Sequence, residues 1–185
     1  MTTTKNTKRM LVAAVCLQFL ILIGLTVQPV MTLTTGKVVT LKTLPVDPYD
    51  MFRGDYVRLR YDMSSMQVTP AAKNGGAVYV ALTPDGEYWK ASAASSEKPV
   101  LREGEVCIKG IAKKTYNGFD LHFGIEQVYV PEKTGKKIEQ AKALSVALAV
   151  DNNGNAAIKK VVNGNETVYD ADNILNLSPQ LRPLR

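Results

Sequence analysis

The hydrophobic positions near the N-terminus form one continuous run. Residues 1–9 are polar and carry three basic side chains and no acid. Residues 10–27 are then apolar except at three positions, and residues 29–33 extend the run. Because about 20 apolar residues cross the hydrocarbon core of a bilayer, we predict a transmembrane signal-anchor over residues 10–31.

A cleaved signal peptide is the alternative interpretation of this run. The apolar region of a signal peptide is usually about 7–15 residues long and ends at a small-x-small cleavage site. The run is longer here, and residues 27–31 contain no such site. We therefore expect an uncleaved anchor, with the basic tail of residues 1–9 in the cytoplasm and every residue after Met31 outside.

Beyond the anchor, short segments alternate between apolar and polar positions, which is the two-residue period of half-buried strands. Asp-Gly at residues 85–86 and Asn-Gly at residues 117–118 predict hairpin turns. Residues 92–99 are small and polar and predict a loop, whereas residues 135–144 have apolar side chains at helical spacing and predict a short amphipathic helix. Strands are predicted over residues 36–44, 56–61, 77–82, 87–91, 105–112, 119–130, 145–150, 156–162 and 166–169.

These patterns predict a mainly β protein. A single N-terminal transmembrane helix would be followed by a β-rich domain, sandwich- or barrel-like, with one short amphipathic helix. The domain would cover residues 32–175, which is enough chain to bury a core without disulfides or metals. Residues 176–185 contain two prolines and no apolar period, so we expect a C-terminal tail there.

The stretch from residue 45 to residue 61 carries the most specific local signals. Pro45 and Pro48 fix their own φ angles and favour an extended approach. Gly54 accepts a positive φ and Asp55 can bond nearby backbone amides, so a tight turn is predicted before the strand.

The strand after this turn has an apolar face and a basic, aromatic face. The first should pack on the core, and the second should display guanidinium groups and a ring to an acidic partner, a lipid phosphate or a glycan. The alternative role of the arginines is to neutralise nearby carboxylates. The apolar face consists of Val57, Leu59 and Tyr61, and the basic, aromatic face consists of Tyr56, Arg58 and Arg60. Arg53 is close in sequence to the second face. The nearby carboxylates are those of Asp47, Asp50 and Asp55.

The charge balance argues against nucleic acid as a partner. The net charge is +6, of which +3 belongs to the basic tail of residues 1–9. The remaining +3 is the difference between 20 basic and 17 acidic residues spread over the rest of the chain. Half of the basic excess is therefore explained by membrane topology, and no concentrated basic region remains.

Single chemistry-bearing residues give no catalytic or redox prediction. Cys16 lies in the anchor and Cys107 in the domain, so a disulfide between them is not expected. His122 is the only histidine, and it alternates away from the apolar face of residues 119–125. No nucleophile or orienting acid stands at a fixed spacing from it, so we interpret it as an ordinary surface residue.

The turn at residues 151–155 resembles a calcium-binding loop in part. Asp151, Asn153 and Asn155 place oxygen ligands at alternate positions. However, Ala156 stands where such a loop needs glycine, and Val162 stands where it needs glutamate. We therefore predict no metal site and no cofactor.

The opening motif resembles a known family. Gly54-Asp55-Tyr56, with Leu59 and Tyr61 at the matching offsets, reproduces the signature of the GDYXXLXY family of bacterial membrane-anchored proteins. This resemblance implies a place in the bacterial inner (cytoplasmic) membrane, as a single-pass protein of the cell envelope with a periplasmic domain. It implies no particular reaction, ligand or cofactor.

The resemblance extends from the anchor to the predicted helix. Residues 45–48 resemble the usual approach to the motif, and residues 124–126 and 129–139 resemble a second block in which a strand leaves the sheet. Pro131 would end the strand because proline has no N–H. The candidate site residues are Asp47, Arg53, Gly54, Asp55, Tyr56, Arg58, Leu59, Arg60, Tyr61, Glu126, Pro131 and Glu132.

The most consistent function is a non-catalytic interaction or assembly module that works with a multispanning membrane partner. The alternative is a membrane-anchored hydrolase, because one span, an outside β domain and a Gly-Asp box are similar to bacterial signal peptidases. Those enzymes need a serine before the box and a lysine base, whereas the first serine of this chain is Ser64, after the strand. We predict no catalytic residue and leave a small-molecule ligand open.

Overall fold

The computed structural model describes residues 3–46, 56–116, 118–129 and 143–175. Its first element is helix α1, which spans Thr3–Thr35 and therefore extends past both ends of the predicted anchor. The stretch Thr7–Thr35 is long and apolar enough to cross a membrane, and its most apolar part is not buried against the domain. The single N-terminal apolar helix predicted from the sequence is thus present.

Ten strands and two short helical segments follow α1 in the described part of the chain. The prediction of a mainly β domain is confirmed. The strands are β1 (Lys37–Val46), β2 (Tyr56–Arg60), β3 (Ala77–Asp85), β4 (Tyr88–Ser95), β5 (Val106–Thr115), β6 (Gly118–His122), β7 (Gln127–Tyr129), β8 (Leu144–Val150), β9 (Ala156–Asn163) and β10 (Glu166–Asp170), with a 3-10 turn at Asp62–Ser65 and helix α2 at Ala171–Leu175.

The strands form two sheets with antiparallel pairing throughout. One has six strands in the order β10-β9-β8-β1-β2-β7, and the other has four in the order β4-β3-β5-β6. β1 is central in the larger sheet, where it pairs with β8 over residues 37–43 and with β2 over residues 44–46. Side chains alternate between the two faces of β1, so that Val39, Leu41 and Thr43 are buried while Val38 is exposed.

One hydrophobic core is shared by the two sheets. Valine, leucine and isoleucine side chains alternate into it from both sheets, as the sequence period predicts. Its largest fully buried side chains include Leu82, Ile108 and Leu121 from the smaller sheet, Leu144 and Leu148 from the larger sheet, and Ile125 between β6 and β7.

Three local predictions are wrong. Residues 92–95 were expected in a loop but continue β4, because their pairing with β3 is resumed after a register shift. The segment 119–130 was expected as one strand but is divided into β6 and β7, which belong to different sheets. Leu144 was expected at the end of a helix but begins β8, where it pairs with Thr43; the rest of the predicted helix lies outside the described residues.

Helix α1 is joined closely to the larger sheet. The Gly36 N–H donates to the Thr32 carbonyl (3.0 Å), and β1 starts at Lys37 without an intervening loop. Thr32 Oγ1 also donates to Asp151 Oδ2 (3.2 Å). Asp151 lies one residue past Val150, the partner of Lys37, so α1 and β1 run in the same general direction.

The domain therefore has two distinguishable ends. The helix end contains the β8–β9 turn (residues 151–155), which contacts α1, and the β4–β5 loop (residues 96–105), which Lys37 Nζ reaches at the Gly104 carbonyl (3.0 Å). A backbone bond from Lys109 to Gly154 (2.7 Å) links the two sheets there. The far end contains the β5–β6 turn, the β9–β10 turn and the start of β2.

Candidate functional site

Strand β2 carries the second half of the sequence motif and divides it between two environments. Val57, Leu59 and Tyr61 are buried, whereas Arg58 and Arg60 are exposed, as the alternation predicts. On the exposed face, Tyr56 pairs with Tyr129 of β7, with ring centroids 6.4 Å apart. The motif therefore supplies both core residues and a surface.

The buried face of the motif is bonded to the segment between β6 and β7. The hydroxyl of Tyr61 donates to the carbonyl of Ile125 (2.9 Å), and the N–H of Leu59 donates to the carbonyl of Glu126 (2.8 Å). Burial, together with the nearby charge of Glu126, raises the pKa of Tyr61. The phenol thus stays protonated and keeps its role as a donor.

The segment bonded to β2 is also where β6 ends and the chain changes sheets. Gly124 has φ +77°, a left-handed conformation that interrupts a strand. The Glu126 carboxylate accepts the N–H groups of Phe123 and Gly124 through its two oxygens. These bonds satisfy backbone amides at the point where pairing within the smaller sheet ends. The chain can therefore turn away, and β7 pairs with β2 in the larger sheet.

The exposed arginines line an open groove with a volume of about 630 Å³. The groove lies between the motif strand and β6, and the two sheets each contribute one wall. Its charged and polar side chains are Arg58 and Arg60 from β2, Gln127 from β7, Lys113 from β5, Asp120 and His122 from β6, Ser64 from the 3-10 turn, and Glu126.

The acids of this groove already have partners. Asp120 Oδ2 lies 3.2 Å from His122 Nε2, and Glu126 accepts two backbone amides. Within the described ranges, no carboxylate lies at ion-pair distance from Arg58, Arg60 or Lys113. The groove therefore presents basic groups that the described residues do not neutralise.

Five of these eight lining residues were not predicted from the sequence as site residues: Ser64, Lys113, Asp120, His122 and Gln127. Lys113, Asp120 and His122 come from the other sheet, and no spacing in the sequence relates them to Arg58. A weak signal existed for His122, because its alternation put it on the outward face of β6. Only the crossing from β6 to β7 brings that face beside β2.

Several predicted site residues lie outside the described part of the chain. The proposal that arginines neutralise the carboxylates of the opening motif concerns this segment and stays a prediction. The site residues there are Asp47, Arg53, Gly54 and Asp55 before β2, and Pro131 and Glu132 after β7. The carboxylate of Asp50 also belongs to the segment before β2.

The described residues also show what holds the turn that resembles a calcium loop. Asp151 accepts bonds from Asn153 N, Asn155 N, Asn155 Nδ2 and Thr32 Oγ1. Partial burial acts to raise the pKa of Asp151, but these hydrogen bonds outweigh it and lower the pKa. Within the described ranges, no group of three His, Cys, Asp or Glu side chains is placed to hold a metal ion.

Comparison with known proteins identifies a family that the chain matches over most of its length. The GDYXXLXY protein family matches residues 18–161, which include part of α1, the motif strand and the segment bonded to it. No curated protein and no solved structure matches the chain significantly. The matched region covers well over half of the chain, and the chain belongs to the GDYXXLXY family.

Proposed function

We propose that this protein is a single-pass interaction module of the cell envelope, which uses the groove beside β2 to bind an acidic surface on a multispanning membrane partner. Residues 10–31 act as the anchor, residues 1–9 as a cytoplasmic tail, and residues 32–175 as a periplasmic domain, followed by the tail of residues 176–185. The observation that carries the proposal is the exposed basic cluster of Arg58, Arg60 and Lys113.

The position of the groove favours a protein partner over lipid headgroups. In β1, residue 44 pairs with Arg60 and lies seven positions after Lys37, which is at the helix end. At about 3.3 Å per residue, this separation is about 23 Å. Headgroups of the bilayer crossed by α1 would lie at the other end of the domain, whereas a loop or domain of a neighbouring membrane protein can reach the groove.

The groove also has the shape of a surface that accepts an extended segment. It is open rather than enclosed, and Tyr56 and Tyr129 lie beside Arg58, whose guanidinium carbon is 6.0 Å from the centroid of the Tyr56 ring. Arginine and tyrosine together are typical of the residues that dominate the energy of protein interfaces. Bidentate contacts from arginine to carboxylates would supply the selectivity for an acidic segment.

Photo-crosslinking in cells tests the proposal. A photoreactive amino acid at Gln127, which is exposed in the groove and pairs with Arg58, should capture one membrane protein. The double substitution Arg58→Ala/Arg60→Ala should abolish that product while the domain stays folded, because two exposed arginines contribute less than about 1 kcal/mol each to stability.

A charge-matched control separates specific binding from general charge effects. Lys159→Ala/Lys160→Ala removes two positive charges from β9, which lies three strands away from β2 in the larger sheet. This variant should leave the crosslink intact. Unfolding followed by the fluorescence of Trp89, the only tryptophan, verifies the fold of each variant. An undiminished crosslink in the arginine variant would refute the proposal.

The hydrolase alternative gains one observation from the structure. Ser64 lines the same groove as His122 and Lys113, although the sequence places it after the motif strand. Yet Ser64 is buried, and the described contacts include no hydrogen bond between Ser64 and His122. If the protein is an interaction module, Ser64→Ala should preserve the crosslink at Gln127. If Ser64→Ala instead abolishes a peptidase activity while the crosslink is retained, the hydrolase alternative is favoured.

A further inference from the structure

The β4–β5 loop exposes apolar side chains next to the end of helix α1. Val100 is 98% exposed and Leu101 is 37% exposed. Single exposed apolar residues are common on soluble proteins, so exposure alone has no functional meaning. What distinguishes this pair is its place in the molecule.

Both ends of the loop are tied to residues that adjoin α1. Lys98 Nζ donates to the Asn152 carbonyl (3.2 Å), and Asn152 belongs to the β8–β9 turn that contacts α1. Lys37, two residues after the helix, donates to the Gly104 carbonyl (3.0 Å). The loop tip is thereby held at the helix end of the domain.

Helix α1 defines where a bilayer would lie relative to this tip. The apolar run 10–27 has 18 residues, which span about 27 Å at about 1.5 Å per residue and nearly match the hydrocarbon core. The remaining turns of α1, from Gln28 to Thr35, rise by about 12 Å. Thr32, within these turns, contacts Asp151, and Asn152 and Asn153 line one cleft with Val27 and Gln28 at the end of the apolar run. The β8–β9 turn therefore lies at the level of the lipid headgroups.

We propose that the β4–β5 loop is a second membrane contact, in which Val100 and Leu101 enter the interfacial layer of the bilayer that α1 crosses. This inference rests on the proposed membrane span of α1. Lys98 and Arg102 flank the apolar pair and can keep their charged ends among the headgroups while their stems lie beside the acyl chains. The loop would fix the tilt of the domain and hold the groove beside β2 at a constant height.

The charges of the loop predict how the contact depends on lipid. Residues 96–105 contain two basic and three acidic side chains, which gives a net charge of −1. One acid, Glu105, accepts the backbone N–H of Arg102 (2.8 Å). Attraction to anionic lipid is therefore weak, and apolar insertion should occur equally well with zwitterionic lipid.

Depth-dependent fluorescence quenching of the full-length protein in lipid nanodiscs tests the proposal. A polarity-sensitive dye is attached at Val100→Cys in a Cys16→Ala/Cys107→Ala background. We expect blue-shifted emission that shallow, headgroup-level quenchers reduce at least twofold, in pure phosphatidylcholine and with added phosphatidylglycerol.

Tyr116 provides the matched control because it is fully exposed (104%) and lies at the far end of β5. The ten residues of β5 place it about 33 Å from the β4–β5 loop, so the dye at Tyr116→Cys should emit as in water. Equal emission at the two positions would overturn the proposal.

A third label separates failure of this inference from failure of the proposed span. The dye at Leu20→Cys in α1 should be reached by deep quenchers. If Leu20 is quenched and Val100 is not, α1 crosses the bilayer and the loop contact is wrong. If neither is quenched, both proposals fail. Shielding of Val100 in cells but not in nanodiscs would assign the loop to a protein partner and also overturn the lipid contact.

Discussion

At the scale of single residues, the contacts of the Tyr61 side chain explain why the motif ends in tyrosine. Tyr61 is 2% exposed, and its hydroxyl reaches the carbonyl of Ile125, at the point where the chain leaves the smaller sheet. The ring fills the core while the oxygen satisfies a buried backbone acceptor. A tyrosine can meet both needs, whereas a phenylalanine meets only the first.

Tyr61→Phe should therefore destabilise the domain without changing its fold. Leaving the Ile125 carbonyl without its donor should cost about 1–2 kcal/mol in the free energy of unfolding. Denaturation of the detergent-solubilised protein, followed by Trp89 fluorescence, measures this change. Tyr116→Phe at the exposed β5–β6 turn is the control and should have no effect; a similar loss in both variants would contradict the role of the buried hydroxyl.

Asp151 should make stability depend on pH in one direction. Its folded-state pKa is lowered by hydrogen bonds, so its stabilising contribution is complete above the unfolded value of about 3.9 and is lost as pH falls through the folded value. Asp151→Asn should thus be less stable than the natural protein at pH 7, and the difference should shrink below about pH 4.

Thermal unfolding of the two proteins from pH 7 to pH 3 measures this difference. Asn152→Ala, which changes the same turn and retains the Asp151 carboxylate, is the control and should follow the pH profile of the natural protein. A difference between Asp151→Asn and the natural protein that stays constant to pH 3 would show that the charge of Asp151 contributes nothing.

At the scale of elements, the joint between α1 and β1 holds the end of the helix against the larger sheet. A Cβ atom added at Gly36 would lie 2.4 Å from the Thr32 carbonyl oxygen and 2.8 Å from the Val150 nitrogen. Both are backbone atoms, which cannot rotate away. The close approach of the helix end to β8 therefore depends on glycine at this position.

Gly36→Ala should lower the stability of the domain by about 1–3 kcal/mol, the usual cost of overpacking. Unfolding in detergent, followed by Trp89 fluorescence, measures the change. Gly24→Ala is the matched control, because the added Cβ would meet nothing within 4 Å in α1, and it should leave unfolding of the domain unchanged. Equal behaviour of the two variants would mean that the joint is loose.

At the scale of the whole molecule, the two ends of the domain have different surroundings. The helix end meets the bilayer if α1 crosses it, and the groove beside β2 is held toward the far end. Such an arrangement suits a protein that contacts a neighbouring membrane protein above the membrane surface. It also gives a direct expectation for labelling from either side.

An impermeant maleimide should distinguish the two sides of the membrane in intact spheroplasts. Tyr116→Cys should react before permeabilisation, since its side chain is fully exposed in the domain, and Thr4→Cys should react only afterwards. This pattern follows from the basic tail of residues 1–9. The reverse pattern would place the domain in the cytoplasm and would contradict the proposed localisation.

The sequence by itself determined the elements whose signals are local. The length of the apolar run predicted α1, and the alternation in β1 and β2 predicted which side chains are buried, because a strand buried on one face imposes that period on its own residues. Asp-Gly and Asn-Gly predicted the hairpins because these pairs readily adopt the backbone angles of tight turns. The family signature at residues 54–61 was equally local.

Only the tertiary structure decided which segments meet. The division of 119–130 between two sheets depends on Gly124 and on the Glu126 carboxylate, and a continuous alternation does not reveal it. The groove combines Arg58 with Lys113 and His122 across two sheets, and Asp151 bonds to Thr32 over 119 residues of chain. Such contacts arise from the shared core and the crossing of the chain between sheets, and no spacing along the sequence encodes them.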